Sequence, residues 1–313
     1  MRSESRLVCQ KQLQHDQKLM YLTSWRKTLS PTLNGIKSGK LQGCSMKMKR
    51  PIHFAEGFLL AIQFFTIMPV RKQIDMNDRT VPWMVGFLPV IGLLMGASIL
   101  AVMGLAQPFL SPSPVIIALW IWVASILWTG GLHLDGWTDV SDAYFSYSDH
   151  DKRHTILKDP RVGAFGVLSL IVLLAVKGIL LYDIASQFGA AGFWLVWIPV
   201  LSRTVMALLL IRMPLAKQDG MAFFLKKSVK KEQVFIPLLL AVVSLLVPLL
   251  FYPFDWQLAG LLLIGSVAWA ALFIRFAQNE FGGISGDLLG ACLEGGELWS
   301  LIMVWFYLSI VMG

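Results

Sequence analysis

A series of long apolar segments constrains the fold of this chain more than any other feature. Seven segments approach the length of about 20 residues that an α-helix needs to cross a bilayer. Of the 313 residues, 56% are hydrophobic and 15% charged, and the mean hydropathy is +0.64, which is typical of a polytopic membrane protein. The apolar runs are continuous rather than alternating, which favours helices over a barrel. They cover residues 83–106, 113–130, 163–183, 189–211, 234–252, 256–274 and 296–313.

A shorter apolar segment covers residues 53–70. Basic residues flank both of its ends and Glu56 interrupts it, so it predicts an interfacial or re-entrant helix, with a full span as the alternative. The predicted fold is therefore all-α: a membrane helix bundle of about seven spans plus this N-terminal helix, formed by residues 46–313.

The first 50 residues are strongly basic. They hold 11 of the 27 Lys and Arg residues and 2 of the 19 acidic residues. We predict that residues 1–45 are a disordered extension, with a basic arm on anionic lipid headgroups as the alternative. Because the remaining chain is nearly neutral, the basic excess does not indicate a nucleic-acid partner. The three cysteines share no metal-type spacing, which argues against a zinc site or a disulfide framework.

The distribution of Lys and Arg predicts the orientation of the spans. Basic residues concentrate in the links 71–79, 151–161 and 226–233, whereas the links at 107–114, 182–189 and 252–256 contain no Lys or Arg. By the positive-inside rule the basic links face the cytoplasm. The sequence thus predicts a multi-pass protein of the cell membrane whose functional motifs open to the cytoplasm.

The segment "LWTGGLHLDGWTDVSDAYFS", residues 127–146, places three carboxylates beside an apolar run. On one helix, Asp135, Asp139 and Asp142 fall within roughly 60 degrees of one another. Three like charges at a low-dielectric boundary require a cation, and all-oxygen ligands suit Mg²⁺. We predict that these three acids are catalytic and bind Mg²⁺. The alternative is a solvated acidic turn or a helix cap.

His133 precedes the acids and is a further candidate catalytic residue. On a continuous helix it lies about 160 degrees from Asp135. It joins the same site only if Gly130 and Gly131 break the helix, as paired glycines readily do.

The segment "ILKDPRVGAFG", residues 156–166, places Lys158 and Arg161 before a glycine-rich entry into an apolar helix. Helix N-termini backed by basic side chains bind phosphate. The alternative is that both cations only set the topology of a cytoplasmic loop.

The segment "GGISGDLLGACLEGGE", residues 282–297, carries two acids behind a glycine-rich loop. Asp287 and Glu294 are seven residues apart and so share one face of a helix. A flexible turn between spans is the alternative for the glycines, which are Gly282, Gly283 and Gly286.

Carboxylates, phosphate-type cations and glycine loops on one side of the membrane are typical of phosphoryl transfer. No P-loop motif is present, so the substrate phosphate is not handled as in nucleotide hydrolases. These features predict a membrane transferase that breaks a pyrophosphate bond.

The motifs "GGLHLDGWTDVSDA", "LKDPRVGAFGV" and "GGISGDLLGA" together resemble the cobalamin synthase family, adenosylcobinamide-GDP ribazoletransferase. The resemblance covers about residues 53–313. It implies a Mg²⁺-dependent enzyme of the last stage of cobalamin biosynthesis. A hydroxyl of α-ribazole, or of its 5′-phosphate, attacks the cobinamide-side phosphate of adenosylcobinamide-GDP, so that GMP leaves and adenosylcobalamin, or its phosphate, forms.

The resemblance also implies roles for individual residues. The acid motif of the family corresponds to Asp135, Asp139 and Asp142. Its basic motif corresponds to the candidate catalytic residues Lys158 and Arg161 and to the candidate substrate-binding residues Asp159 and Gly163. Its late glycine motif corresponds to the further substrate-binding candidates Gly282, Gly283, Ser285, Gly286 and Asp287. Glu294 of the same segment is predicted to join them. Three residues depart from the usual pattern: Pro160 replaces serine, Ala143 replaces glycine and Ser285 replaces threonine. Pro160 lacks an amide donor, so it provides no backbone N–H to phosphate.

Two other classes remain open at this level. A CDP-alcohol phosphatidyltransferase also presents spaced aspartates, but its pattern has Ala-Arg soon after the first Asp-Gly, where this chain has Trp137 and Thr138. A cation or solute transporter would use intramembrane acids without needing the Lys158 and Arg161 loop. The sequence leaves open whether the protein forms a homo-oligomer.

Overall fold

The computed structural model describes residues 52–106, 113–146, 149–159, 161–188, 194–250 and 255–312. Within these ranges the secondary structure is helical, and the one β-type pairing is an isolated bridge between Leu215 and Ile284. The predicted all-α fold is confirmed. The extension predicted for residues 1–45 lies outside the described residues. The α-helices are α1 (Ile52–Phe65), α2 (Val81–Gly86), α3 (Leu88–Ala106), α4 (Pro114–Thr129), α5 (Leu132–Ser146), α6 (His150–Ile156), α7 (Ala164–Phe188), α8 (Trp194–Arg212), α9 (Gly220–Ser228), α10 (Phe235–Leu246), α11 (Trp256–Phe281) and α12 (Gly286–Tyr307).

Five helices in the described part of the chain are long and apolar enough to cross a membrane: α3, α7, α8, α11 and α12. A sixth crossing results if α4 and α5, which meet at 88°, form one broken span. The count of about seven is not confirmed. The helix at the predicted segment 234–252 is one reason, because α10 has only 12 residues before a 3-10 turn follows at Val247–Leu250.

Helix α1 is 14 residues long and is therefore too short to cross a bilayer as a straight helix. It packs against α2, where the Phe54 ring contacts the rings of Trp83 and Phe87 in edge-to-face geometry. This length favours the predicted interfacial or re-entrant helix over a full span.

Contacts between loops define two ends of the helix bundle. At one end, Ser228 Oγ donates to Asp78 Oδ1 at 2.7 Å, which joins two of the predicted cytoplasmic links. In the third such link, Lys158 pairs with Asp219, the residue just before α9. At the other end, the hydroxyl of Tyr307, the last residue of α12, donates to Asp255 at 2.6 Å. Asp255 lies in one of the links that lack Lys and Arg. The contacts at the first end join two of the three basic links and connect the third to Asp219. The cytoplasmic side predicted for them stays a prediction.

The break between α4 and α5 occurs at Gly130 and Gly131, where the sequence analysis allowed for one. Gly130 and Gly131 adopt φ values of 62° and 77°, a left-handed conformation that is readily available only to glycine. The resulting bend starts α5 directly before the acidic motif and lays that helix between α7 and α12.

Candidate active site

The three acids of the acidic motif lie on one helix, α5, as predicted, but their environments differ. Asp135 is exposed, Asp139 is half-buried, and Asp142 is buried with 9% exposure. The C-terminal part of α5 thus enters the protein, whereas its N-terminal acid faces outward.

Asp142 contacts the N-terminal turn of α7. Its Oδ1 accepts a hydrogen bond from the Gly166 N–H at 3.3 Å. A β-carbon on Gly163 would coincide with the Asp142 carboxylate, and one on Gly166 would lie 2.8 Å from the Thr138 carbonyl oxygen. The glycines of the basic motif therefore allow α7 to approach α5.

The other side of α5 packs against the start of α12. A β-carbon on Gly136 would lie 2.6 Å from the Asp287 carbonyl oxygen, and one on Gly290 would lie 3.1 Å from that of His133. These close approaches, like those at α7, occur only because glycine has no side chain. The structure thus brings the three sequence motifs together around α5.

The cations of the basic motif are exposed and ion-paired. Lys158 Nζ lies 3.0 Å from Asp219 Oδ2. Arg161 donates to Asp159 through both its guanidinium, at 2.6 Å from Nη2, and its backbone N–H. These hydrogen bonds lower the pKa of Asp159 to about 2, so this carboxylate is charged at neutral pH. Asp159, predicted to bind substrate, contacts Arg161.

The late glycine motif forms the turn between α11 and α12. Gly282 and Gly283 have positive φ values of 72° and 153°, and Gly283 packs against the backbone of residues 214–216. Ser285 caps α12, since its Oγ accepts from the Leu288 N–H at 3.3 Å. These three residues therefore have turn and capping contacts; the roles predicted for them in substrate binding, and that of Gly286 at the start of α12, stay predictions.

Asp287 is the residue of this motif that retains an accessible charge. Its side chain is 31% exposed, and its Oδ2 lies 3.7 Å from Lys217 Nζ. Lys217 follows a segment that is held to the glycine turn by two backbone hydrogen bonds: the Ile284 N–H donates to Pro214 and the Ala216 N–H donates to Ile284. The structure therefore adds Lys217, a cation that the motif analysis missed.

The described residues contain no group of three or more His, Cys, Asp or Glu side chains arranged to hold a metal ion. A site of three acids is thus not assembled, because Asp142 points to α7. Asp135 and Asp139 are an i, i+4 pair and so are neighbours on the helix surface. Mg²⁺ is commonly held by one or two carboxylates together with substrate phosphates and water, and this pair fits that requirement. The Mg²⁺ prediction itself stays a prediction.

His133 does not join the acids. The helix does break at Gly130 and Gly131, but α5 begins at Leu132, so His133 is on the same helix as Asp135 and faces away from it. It is buried at 3% exposure, its ring stacks on Phe65, and its Nε2 has no hydrogen-bond partner. The geometry does not place this predicted catalytic residue with the carboxylates.

Glu294 is also separated from the predicted site, because it is buried whereas Asp287 is partly exposed. It lies two turns deeper in α12, where its Oε2 is 2.6 Å from Lys177 Nζ of α7. Glu297 bridges Lys177 at 3.2 Å and Arg203 of α8 at 3.0 Å. We call Lys177, Arg203, Glu294 and Glu297 the buried ion network. Because Glu294 is buried and ion-paired, its predicted role in substrate binding is not supported by its position.

Sequence reasoning missed Lys177, Arg203 and Glu297 of this network, although a signal was present for the two cations. Lys177 and Arg203 are cations inside apolar runs long enough to span the membrane, where ionisable residues are costly and are usually paired. No comparable signal marks Lys217, whose position depends on the pairing of two distant loops.

Comparison with known proteins agrees with the arrangement of the three motifs. Residues 57–305 match the family described as Cobalamin-5-phosphate synthase. The chain belongs to this family. The family resemblance predicted from the motifs is confirmed, and the matched range contains every candidate site residue. No solved structure was found to match the chain.

Three relatives named adenosylcobinamide-GDP ribazoletransferase align with this chain over nearly their full length. The adenosylcobinamide-GDP ribazoletransferase of Geobacillus kaustophilus is 41% identical over 82% of this chain and 98% of its own. That of Geobacillus sp. strain WCH70 is 39% identical over 82% of this chain and 97% of its own. The protein of the same name from Acinetobacter baumannii strain ACICU is 31% identical over 80% of this chain and 98% of its own.

Proposed function

We propose that this chain is an adenosylcobinamide-GDP ribazoletransferase that acts in the last stage of cobalamin biosynthesis. It joins α-ribazole, or α-ribazole 5′-phosphate, to adenosylcobinamide-GDP. The observation that carries the proposal is the packing of α5 against both α7 and α12, which places the acidic, basic and glycine motifs of this family around one helix.

The reaction is a substitution at phosphorus. A ribose hydroxyl oxygen of the ribazole forms a bond to the cobinamide-side phosphorus, and the bond from that phosphorus to the diphosphate bridging oxygen breaks. GMP leaves with the electron pair of that bond, and the proton of the hydroxyl is released. The products are adenosylcobalamin, or its 5′-phosphate, and GMP.

The residues of this chain serve mainly to bind and orient the charged groups. Asp135 and Asp139 are the carboxylates suited to hold Mg²⁺, which when bound neutralises charge on the diphosphate. Lys158 and Arg161 bind phosphate oxygens from the loop before α7. Lys217 adds a cation beside Asp287, at the start of α12.

The proposed location is the cell membrane, with the site on the cytoplasmic side. Two observations support it. Two of the basic links contact each other, through Ser228 and Asp78. The third contains Arg153, which pairs with Glu280 just before the glycine turn. The proposed partners are therefore the two substrates and the surrounding bilayer.

An assay of the purified protein in detergent tests this function. We expect that adenosylcobinamide-GDP, α-ribazole and Mg²⁺ together yield an adenosylcobalamin product and GMP by mass spectrometry, and that omission of Mg²⁺ abolishes both. The double variant Asp135→Asn/Asp139→Asn should lose at least about 100-fold in turnover, since loss of an electrostatic contact at the reacting group costs about that much. Asp75→Asn, an exposed carboxylate in another loop, is the matched control.

The same assay distinguishes the other classes of protein. Release of CMP from a CDP-alcohol would identify a phosphatidyltransferase, and transport without nucleotide release would identify a solute carrier. Product formation that is independent of divalent cations would remove Mg²⁺ from the proposal while leaving the transferase.

A further inference from the structure

Asp142 differs from the other two acids of α5 in what its carboxylate contacts. It is buried, and it lies against Gly163 and accepts from the Gly166 N–H. Asp135, seven residues earlier, is exposed. Two residues of one motif therefore occupy unlike environments, which suggests unlike roles.

The contact has the geometry of a helix N-cap supplied by another helix. The Gly163 carbonyl accepts the first hydrogen bond of α7, from the Val167 N–H at 3.2 Å, so Gly163 occupies the N-cap position and Gly166 the third helical position. A capping side chain normally accepts from that third N–H. Glycine has no such side chain, and the Asp142 carboxylate of α5 takes the place that it would fill.

The glycine at 163 is explained by this carboxylate and not by backbone conformation. Gly163 is not one of the described residues with a positive φ, so a residue with a side chain could adopt its backbone angles. A β-carbon there would nevertheless coincide with Asp142. Gly163 and Asp142 are thus complementary, and each restricts the residue type of the other.

The charge of Asp142 also suits its location. Free N–H groups and the aligned peptide dipoles give a helix N-terminus a partial positive charge, which a carboxylate stabilises. The loop that ends at Gly163 carries Lys158 and Arg161, and Arg161 precedes the capped turn by two residues.

We propose that Asp142 is a positioning residue that caps α7 from α5 and so orients the cations Lys158 and Arg161 of the phosphate-binding loop, rather than a direct ligand of Mg²⁺. This inference rests on the proposed function for the role of the loop, but the capping contact itself does not. Asp135 and Asp139 then form the metal-binding part of the motif, and Asp142 acts through Lys158 and Arg161.

A stability cycle tests the contact without substrate or metal. We would measure the Tm in detergent of the unchanged protein, Asp142→Ala, Gly163→Ala and the double variant. Gly163→Ala should lower the Tm by about 5 °C or more in the unchanged protein and by much less beside Asp142→Ala, where the β-carbon has room. The intrinsic cost of alanine at an N-cap is present in both backgrounds and cancels. An equal loss of Tm in both backgrounds would overturn the proposal.

Variants at position 142 alone keep the proposal testable if Gly163→Ala does not accumulate. Asparagine is as good an N-cap as aspartate, whereas alanine is poor. Asp142→Asn should therefore keep a Tm within about 2 °C of the unchanged protein, and Asp142→Ala should lose about 3 °C or more. If the two variants lose the same amount, the carboxylate is not a cap.

Kinetics separate positioning from metal binding. Asp142→Ala should raise the KM for adenosylcobinamide-GDP about tenfold, as expected for a displaced phosphate contact. The Mg²⁺ concentration for half-maximal rate should change less than about twofold in Asp142→Asn, while Asp135→Asn raises it at least about tenfold. An equal rise in both would identify Asp142 as a ligand and overturn the proposal. If the unchanged protein forms no product, the proposed function fails, while the stability cycle still decides the capping contact.

Discussion

At the scale of single residues, glycines determine how closely the elements of the site can pack. Gly136 is the contact point of α5 with the backbone of Asp287, and Gly163 is the contact point of α7 with Asp142. In both cases the neighbour is a residue of another functional motif. The glycines of this chain therefore position charged groups as well as forming turns.

Substitution of Gly136 tests this packing. Gly136→Ala puts a β-carbon 2.6 Å from the Asp287 carbonyl oxygen, so α5 and α12 must separate. We expect a loss of about 1–3 kcal/mol in stability, as is typical of overpacking, and a fall in turnover of at least about tenfold. Thermal unfolding in detergent and the product assay measure the two effects.

Gly260→Ala is the matched control for this substitution. Gly260 lies within α11, and a β-carbon there has no heavy atom within 4 Å. Alanine in a helix interior is favoured over glycine by roughly 0.5–1 kcal/mol, so the Tm should stay equal or rise. A Gly136→Ala protein as stable and active as Gly260→Ala would show that the helices separate at no cost.

At the scale of elements, the buried ion network links α7, α8 and α12 in the part of the bundle below the site. Lys177 contacts two glutamates of α12, and Arg203 contacts one of them together with the Pro199 carbonyl oxygen, at 3.2 Å. The arrangement holds two positive and two negative charges. A shift of any one of these helices would separate charges that are paired here, so the network favours the observed alignment.

Removal of one member should be far more damaging than removal of a matched pair. Lys177→Met leaves Glu294 buried without its cation, and we expect a loss of about 3–5 kcal/mol in stability. Lys177→Met combined with Glu294→Leu should recover a large part of this loss. The measurement is the Tm and the yield of monodisperse protein in detergent.

An exposed ion pair provides the comparison for the buried network. Lys72 Nζ lies 3.4 Å from Glu56, and the lysine side chain is 57% exposed. Lys72→Met should change stability by less than about 1 kcal/mol. If Lys177→Met is as mild as Lys72→Met, the network does not hold the helices together.

At the scale of the whole molecule, the contacts between loops give the bundle two chemically different ends. Two of the basic links contact each other through Ser228 and Asp78. The links without Lys or Arg include Asp183 and Asp255, which accept from Trp305 and Tyr307 near the end of α12. This polarity is the feature that orients a membrane protein during insertion.

Cysteine labelling in intact cells tests the proposed orientation. In a background with Cys9, Cys44 and Cys292 replaced by alanine, we expect Ser186→Cys to react with a membrane-impermeant thiol reagent added outside. Gln73→Cys should react only after the cells are opened. Both positions are exposed, so access to the reagent depends on their side of the membrane. The reverse pattern would place the site outside the cytoplasm.

The same three scales separate what could be predicted from what could not. Local patterns in the sequence indicate four features that the structure shows. These are the apolar spans, the helical fold, the helix break that Gly130 and Gly131 allow, and the single helix that carries the three acids. The bilayer requires about 20 apolar residues for each span, and paired glycines readily break a helix, so these features leave a direct trace in the sequence.

The family membership also followed from sequence, since three short motifs in a fixed order are specific even without a structure. The placement of Glu294 and His133 could not be predicted in this way. Helical periodicity predicts on which side of a helix a residue lies, but not which element packs against that side. Here Glu294 contacts Lys177, and His133 contacts Phe65.

The sequence by itself therefore determined the class and the family of the protein, because these depend on composition and on residues that are close along the chain. Only the tertiary structure decided that Asp142 faces α7 and Asp135 faces outward, that Lys217 lies beside Asp287, and that four intramembrane charges pair. The physical reason is that these contacts join residues from different helices and loops. Their geometry depends on how glycines let α5, α7 and α12 approach, a property of the packed bundle.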